Sequence, residues 1–455
     1  MNNLTSLQRK LLYLGGILLL LIPITMMGMP AEPAQAGNKG SAGGVLAQKR
    51  DEFKYGEHDL GNVDPASSTM NLLLLGFRGI ATSVLWTEAI EQQRGKDWAG
   101  LRATTESIIL LQPHFLKVWH FQGWNLAYNV SAEWDGVADR YYWVKEGIKF
   151  FKKGRDRNEQ YAELYWYVGD TTGKKIGRSD EAVIFRRFFR HDPDEARYGG
   201  GPDPFVNPNS RDNYQEAGEW FQQANNTIET FHNEQHIMAP YLFRAYPQRA
   251  IFDQAMALQR EGEFGEVCRN IWAEGFTAWT TKYGMMDLDC EVLGHPIHLE
   301  VSGPELQEMK KDEDAKGKED WFRQTVWIGK YQDQANYTYW RTRSRVESEK
   351  EMSDAHRLLY EGEQALNKAD PATALKLYVD GMTKYDKILG EYPQMKNEDE
   401  TVEEAMLAVM GWQKSLEYLD EEVPEAFPLK DIWDEHPLRR PAVKSEFERR
   451  RRAGR

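Results

Sequence analysis

Cysteine is almost absent: the 455-residue chain has two, Cys268 and Cys290, in no CxxC or CxxCH pattern. That excludes a disulfide framework, a four-cysteine zinc site and covalent haem attachment through the usual motif. There is no GxSxG nucleophile elbow and no HExxH zinc pair. Gly199-Gly200-Gly201 follows no strand pattern and precedes no Lys-Ser/Thr, so it is no phosphate loop. Asp192-Pro193-Asp194-Glu195 opens like a calcium loop but lacks the glycine and distal glutamate. No catalytic residue is assigned on this reading, and no cofactor is expected.

Basic charge is also in short supply, with 57 Lys and Arg against 71 Asp and Glu and a net charge of −14. Nucleic acid is therefore not an expected partner, because counterion displacement needs a basic footprint. The exception is Pro437 to Arg455, which holds eight Lys/Arg against two Asp/Glu. Such a run is expected to be solvated, with anionic lipid, an acidic protein or the chain's own body as the other candidates.

Long apolar runs are scarce. Arg9-Lys10 precede one, Leu11 to Met29, which carries no charge and is long enough to span a bilayer. Ala34-Gln35-Ala36 follows as a small-x-small site before Gly37. Both readings of this segment, uncleaved anchor or cleaved signal peptide, export the rest. The expected location is a single-pass membrane protein with an extracytoplasmic body, or a periplasmic or secreted chain after cleavage. A second apolar stretch, Met70 to Trp86, contains Arg78 at its centre, which speaks against a span. It reads as a buried first helix in which Gly76, Gly79, Ala81 and Ser83 allow close contact and Arg78 pairs with an acid.

What the chain has is aromatic bulk, 15 Trp, 21 Tyr and 19 Phe, suited to filling the gaps between long helices. Hydrophobic periodicity places helices at Trp98 to Leu111, Tyr161 to Val168 and Asp212 to Phe231. From His356 to Pro393, Leu358, Leu359, Tyr360, Gly362, Ala365 and Leu366 share one helix, Asp370-Pro371 make a turn, and Ala374, Tyr378, Gly381 and Tyr385 share the next. Gly362, Ala374, Tyr378 and Gly381 sit at the offsets of the tetratricopeptide repeat, which this segment resembles. Between Arg249 and Lys282 the same offsets fall on Cys268, Trp272 and Gly275. Cys268 is then a small packing residue rather than a reactive thiol. A looser pair carries Trp119, Gly123, Trp124 and Tyr128, then Trp143, Gly147 and Phe151.

The expected fold is all-α, an irregular TPR-like helical solenoid preceded by an N-terminal membrane anchor or signal segment. Its parts are that segment over 1–36, a flexible linker over 37–66 and a TPR-like region over 67–172. An insertion with loop and helix follows over 173–240, then a TPR-like pair over 241–284. An irregular charged insertion and helix over 285–345, a second TPR-like region over 346–425 and a Pro-containing basic tail over 426–455 complete the chain.

Two histidine groups carry possible metal chemistry. His232 and His236 are four apart, which on a helix puts both rings on one face. They are the metal candidates, with a surface or helix-end histidine pair as the plainer reading. Cys290, His295 and His298 form a second group in C-x4-H-x2-H spacing, and a Cys268 to Cys290 disulfide stays open.

Gly76-Phe77-Arg78-Gly79 to Trp86, Gln112-Pro113-His114-Phe115 to Trp124, and Phe185-Arg186-Arg187-Phe188-Phe189-Arg190 with Arg211-Asp212-Asn213 resemble membrane-anchored TPR-like proteins of planctomycete bacteria. The resemblance spans most of the chain and implies no particular activity. The expected function is a non-enzymatic scaffold holding a protein or peptide partner through its helix pairs. A small-molecule or metal-binding protein is the alternative, and an enzyme of unassigned class the third reading.

Overall fold

The structure is a computed structural model that describes residues 78–232, 238–301 and 315–453, with scattered positions between 14 and 49. Among the described residues the chain is helical without strands; Leu288 and Ile297 make one isolated antiparallel bridge. No helix among them is long and apolar enough to cross a membrane. Most of the run Leu11 to Met29 lies outside the described residues, as does Met70 to Phe77. The chain divides into two compact units, Met1–Asn125 with Phe150–Leu164 and Leu126–Lys149 with Tyr165–Arg455.

In the first unit, α1 (Arg78–Arg94) packs on α2 (Trp98–Leu111). Asp97 caps α2 by accepting from the Gly100 amide at 3.0 Å, and the helix ends just before Pro113. α3 (Leu116–Trp124) follows. Its Trp119 donates to the Pro113 carbonyl at 2.7 Å and lies so close to Gly154 that a Cβ there would meet its ring at 2.9 Å. Gly123 gives the same room to Phe151. The expected buried first helix is corrected: Ile80 and Val84 of α1 are each 64% exposed, and only the side bearing Thr82 and Ala89 is buried. Gly79 meets nothing nearer than Gln112, so it permits no close helix approach.

The second unit includes α4 (Val137–Asp156) up to Lys149, α5 (Ala162–Asp170) from Tyr165 and α6 (Ala182–Arg190). A loop then leads to α7 (Asn213–Phe231), started by a capping box in which Asp212 and Gln215 satisfy each other's backbone donors. Its Ala217, Trp220, Phe221 and Ala224 are buried, and Ile228 further along is half-buried.

α8 (Tyr246–Arg260) and α9 (Glu266–Ala278) form one helix pair; α12 (Lys350–Asn367) and α13 (Pro371–Glu391) form another, with α10 (Ala315–Ala335) and α11 (Tyr337–Glu347) between them. The offset residues do equivalent work in both pairs. Cys268, Trp272 and Gly275 are buried on α9, as are Ala374, Tyr378 and Gly381 on α13. A Cβ on Gly275 would meet Phe252 at 2.7 Å, and one on Gly381 would meet Leu359 at 2.8 Å. Tyr378 fills the space between Gly362 and Gly411 of α14 (Asp399–Tyr418).

The basic tail is not free. After α15 (Lys430–Glu435) it forms α16 (Arg440–Ala453), whose Val443 and Phe447 are buried in the core of this unit. They are four residues apart, so one helical face carries both while the arginines flank it.

Candidate functional site

Helix α12 borders two polar assemblies. In one, Arg343 and Glu347, one turn apart on α11, meet His356 of α12 and Glu404 of α14. The Arg343 guanidinium donates to Glu404 at 2.9 Å, to the Tyr339 hydroxyl at 2.8 Å and to Glu347 at 3.3 Å. Glu347 also faces His356 Nε2 at 3.1 Å and accepts from Gln259 at 2.9 Å, while Tyr385 donates to Glu404 at 3.3 Å. Arg343 and Glu347 are fully buried, the His356 side chain is 10% exposed, and Glu404, at 37%, closes the open side.

The charges hold one another. Burial lowers the pKa of Arg343, but Glu404, Tyr339 and Glu347 outweigh it and raise the value well above the ordinary one. Burial raises Glu347, yet His356, Arg343 and Gln259 bring it below the usual carboxylate range. Burial lowers His356, and Glu347 and Glu404 reverse that, so its pKa rises. Arg343, joined by His356 when that ring is protonated, thus faces two carboxylates, the arrangement in which buried charge is tolerated.

Donor atoms of Glu347, His356 and Glu404 lie within 4.8 Å of one another, the one such group among the described residues. Three ligands of these types suit a transition metal. Arg343 weighs against it, because its guanidinium already bonds both carboxylates and a divalent ion must displace it. No short motif announces this group: Glu347 and His356 are separated by a helix break, and Glu404 lies on another helix. The available signal was Arg343 and Glu347 one turn apart in a helix whose other buried residues include Tyr337, Tyr339, Trp340 and Val346.

Helix α12 also borders a cleft of about 450 Å³ lined by the α8–α9 turn, α12 and Arg269 of α9. Gly262 turns at φ 87°, and the Tyr360 hydroxyl sits 2.8 Å from where a Cβ would project. Ser353 donates to the Phe264 carbonyl at 2.6 Å, fixing the turn against α12. Phe264 and Tyr360 face each other at 5.5 Å. Lys350 pairs with Asp354, Arg357 pairs with Glu361 at 2.9 Å, and Glu263 accepts from the Gly265 amide. Arg269 has no ion-pair partner among the described residues, which leaves one uncommitted guanidinium in the cleft.

The residues singled out from sequence lie elsewhere. Helix α7 ends at Phe231, and His232 caps it in the left-handed region at φ 51°, so the helical spacing assumed for the His232 and His236 pair does not extend through it. His236 lies outside the described residues. Cys268 and Cys290 are both buried free thiols, and burial pushes Cys268 up to about 12, an unreactive thiol. His298 bonds Asp287 at 2.7 Å, and His295 bonds the Pro296 carbonyl rather than joining Cys290. Asp192 serves a clasp: buried Lys145 bonds it and lies 3.5 Å from Asp203, beneath the Tyr141 and Tyr198 rings.

With this geometry in hand, comparison finds no protein family, no curated protein and no solved structure that matches the chain.

Proposed function

We propose that the chain is a non-enzymatic scaffold, its TPR-like helix pairs stacked as a solenoid that holds a protein or peptide partner. The observation that supports this is the cleft beside α12. It is open, its aromatic walls are held in place, and its Arg269 has no ion-pair partner among the described residues. The polar groups with the chemistry of catalysis, Glu347, His356 and Glu404, are bonded to one another and to Arg343 instead. Membrane tethering through Leu11 to Met29, and kinship with the planctomycete repeat proteins, belong to the same reading.

The test is capture by the chain from Ser67 onward, as wild type and as Arg269→Glu. A partner that binds the first and is lost from the second, at unchanged Tm, supports the reading. Partners that ignore the substitution remove the cleft from it.

A second reading, metal binding, is favoured by the ligand spacing of Glu347, His356 and Glu404. Elemental analysis of protein purified without chelator decides it: stoichiometric metal lost in His356→Ala would establish a metal protein.

A further inference from the structure

Helix α16 sits on its own unit as a ligand sits on a receptor. Its apolar side inserts Val443 and Phe447 into the core, and its basic side is spread over acidic and aromatic groups of other elements. Arg449 reaches Asp180 at 2.8 Å, Arg450 approaches Glu403 of α14 at 3.9 Å, and Arg451 bonds the Tyr418 hydroxyl at 3.0 Å. Glu363 of α12 interacts electrostatically with Arg450 as well, and Glu446 of α16 itself pairs with Arg449 and Arg450 at 2.8 Å.

The attachment is light. Two apolar side chains anchor the helix, and the ion pairs around them lie at the surface, where each contributes little. The turn Pro437–Arg439 that delivers α16 is exposed, with Leu438 93% accessible.

We propose that the surface beneath α16 is a second partner-binding surface, that its partner presents a basic amphipathic helix, and that α16 is the built-in competitor for it. The inference extends the scaffold reading but stands on different residues from the Arg269 cleft. The occupant's chemistry is written in the seated helix: apolar residues four apart, followed by arginines placed for Glu363, Glu403 and Asp180. A competitor on a short tether acts at an effective concentration on the order of millimolar, so the free surface is masked until a stronger helix arrives.

The experiment uses the full chain and a labelled peptide of residues 440–453, with binding read by fluorescence anisotropy. In the variant Phe447→Ser, Arg450→Glu, Arg451→Glu the internal helix is released while the seat is intact. The peptide is expected to bind this variant roughly tenfold or more tightly than it binds the unaltered chain. Added salt should weaken that binding. Adding Glu363→Lys and Glu403→Arg to the released variant should abolish it, whereas adding Arg269→Glu should not, which separates this surface from the cleft. The proposal is overturned if the peptide binds neither chain, or both equally, while the released variant keeps its Tm. It is overturned too if the released variant loses cooperative unfolding, for α16 is then a structural cap. Equal binding of a peptide lacking Val443 and Phe447 but retaining the arginines would refute the amphipathic-helix requirement.

Discussion

Arg343 and Glu404 are 61 residues apart in sequence and 2.9 Å apart in the structure, joined where α11 meets α14. Because Arg343 is fully buried and also bonds Glu347, removing the guanidinium takes the permanent cation from two carboxylates at once, one of them, Glu347, fully buried. Arg343→Met is expected to destabilise the protein by roughly 3–5 kcal/mol, the cost of breaking a buried pair by deleting one member. Adding Glu347→Gln and Glu404→Gln should recover much of that loss, since uncharged partners no longer need the cation. Urea unfolding followed through tryptophan fluorescence measures both, Trp272 and Trp340 lying close to the guanidinium.

The pairing of His356 with Glu347 makes stability depend on pH in both directions. The pKa of His356 is raised in the folded state, so its contribution is complete below the unfolded value of 6.5 and is lost as pH rises through the folded value. The pKa of Glu347 is lowered, so its contribution is present above the unfolded value of 4.5 and is lost as pH falls through the folded one. Stability from this pair is therefore greatest between about pH 4.5 and 6.5. His356→Gln should flatten the alkaline side of a Tm-against-pH curve; an unchanged alkaline limb would mean His356 does not titrate with folding.

Gly381 is packed against Leu359 and Leu358, with no room for a side chain. Gly381→Leu should cost about 1–3 kcal/mol by overpacking and lower Tm by several degrees. Lys384→Leu, three residues on and exposed, should leave Tm nearly unchanged. Thermal unfolding of the two variants side by side checks the register of the helix pair.

That register was legible because it is local. A small residue, an aromatic four later and a small one three after that recur as Cys268, Trp272, Gly275 and as Ala374, Tyr378, Gly381, and helical geometry puts each set on one face. The Arg343 group was not legible, since its four members come from three helices and only tertiary packing brings them together. For His232 and His236 the helical spacing does not hold at the first of them: a spacing of four puts two rings on one face only inside a helix, and α7 stops at Phe231. For α16 the charge count of the tail drew attention away from Val443 and Phe447, whose spacing was the signal for a docked helix.

Lys145 supplies the last prediction. Its ammonium is 4% exposed, bonds Asp192, lies 3.5 Å from Asp203 and sits 4.8 Å from the centre of the Tyr198 ring. Asp203 also accepts from the Tyr198 hydroxyl at 2.7 Å and from Lys149 at 3.0 Å, so the loop between the two aspartates is closed onto α4 through these side chains. Lys145→Met keeps the length of the stem but leaves Asp192 buried without its cation, and a stranded buried charge is strongly destabilising. The loop should open before the whole protein unfolds, because Glu195–Tyr198 is a single helical turn with no buried residue of its own. Limited proteolysis should then cut between Glu195 and Gly201 in Lys145→Met under conditions where the wild type resists. Lys149→Met serves as the control: Lys149 is more exposed and touches only Asp203 of the two aspartates, so its loss should leave the loop protected. Equal cutting of both variants would show that the clasp depends on general charge near Asp203 rather than on the buried Lys145 ammonium.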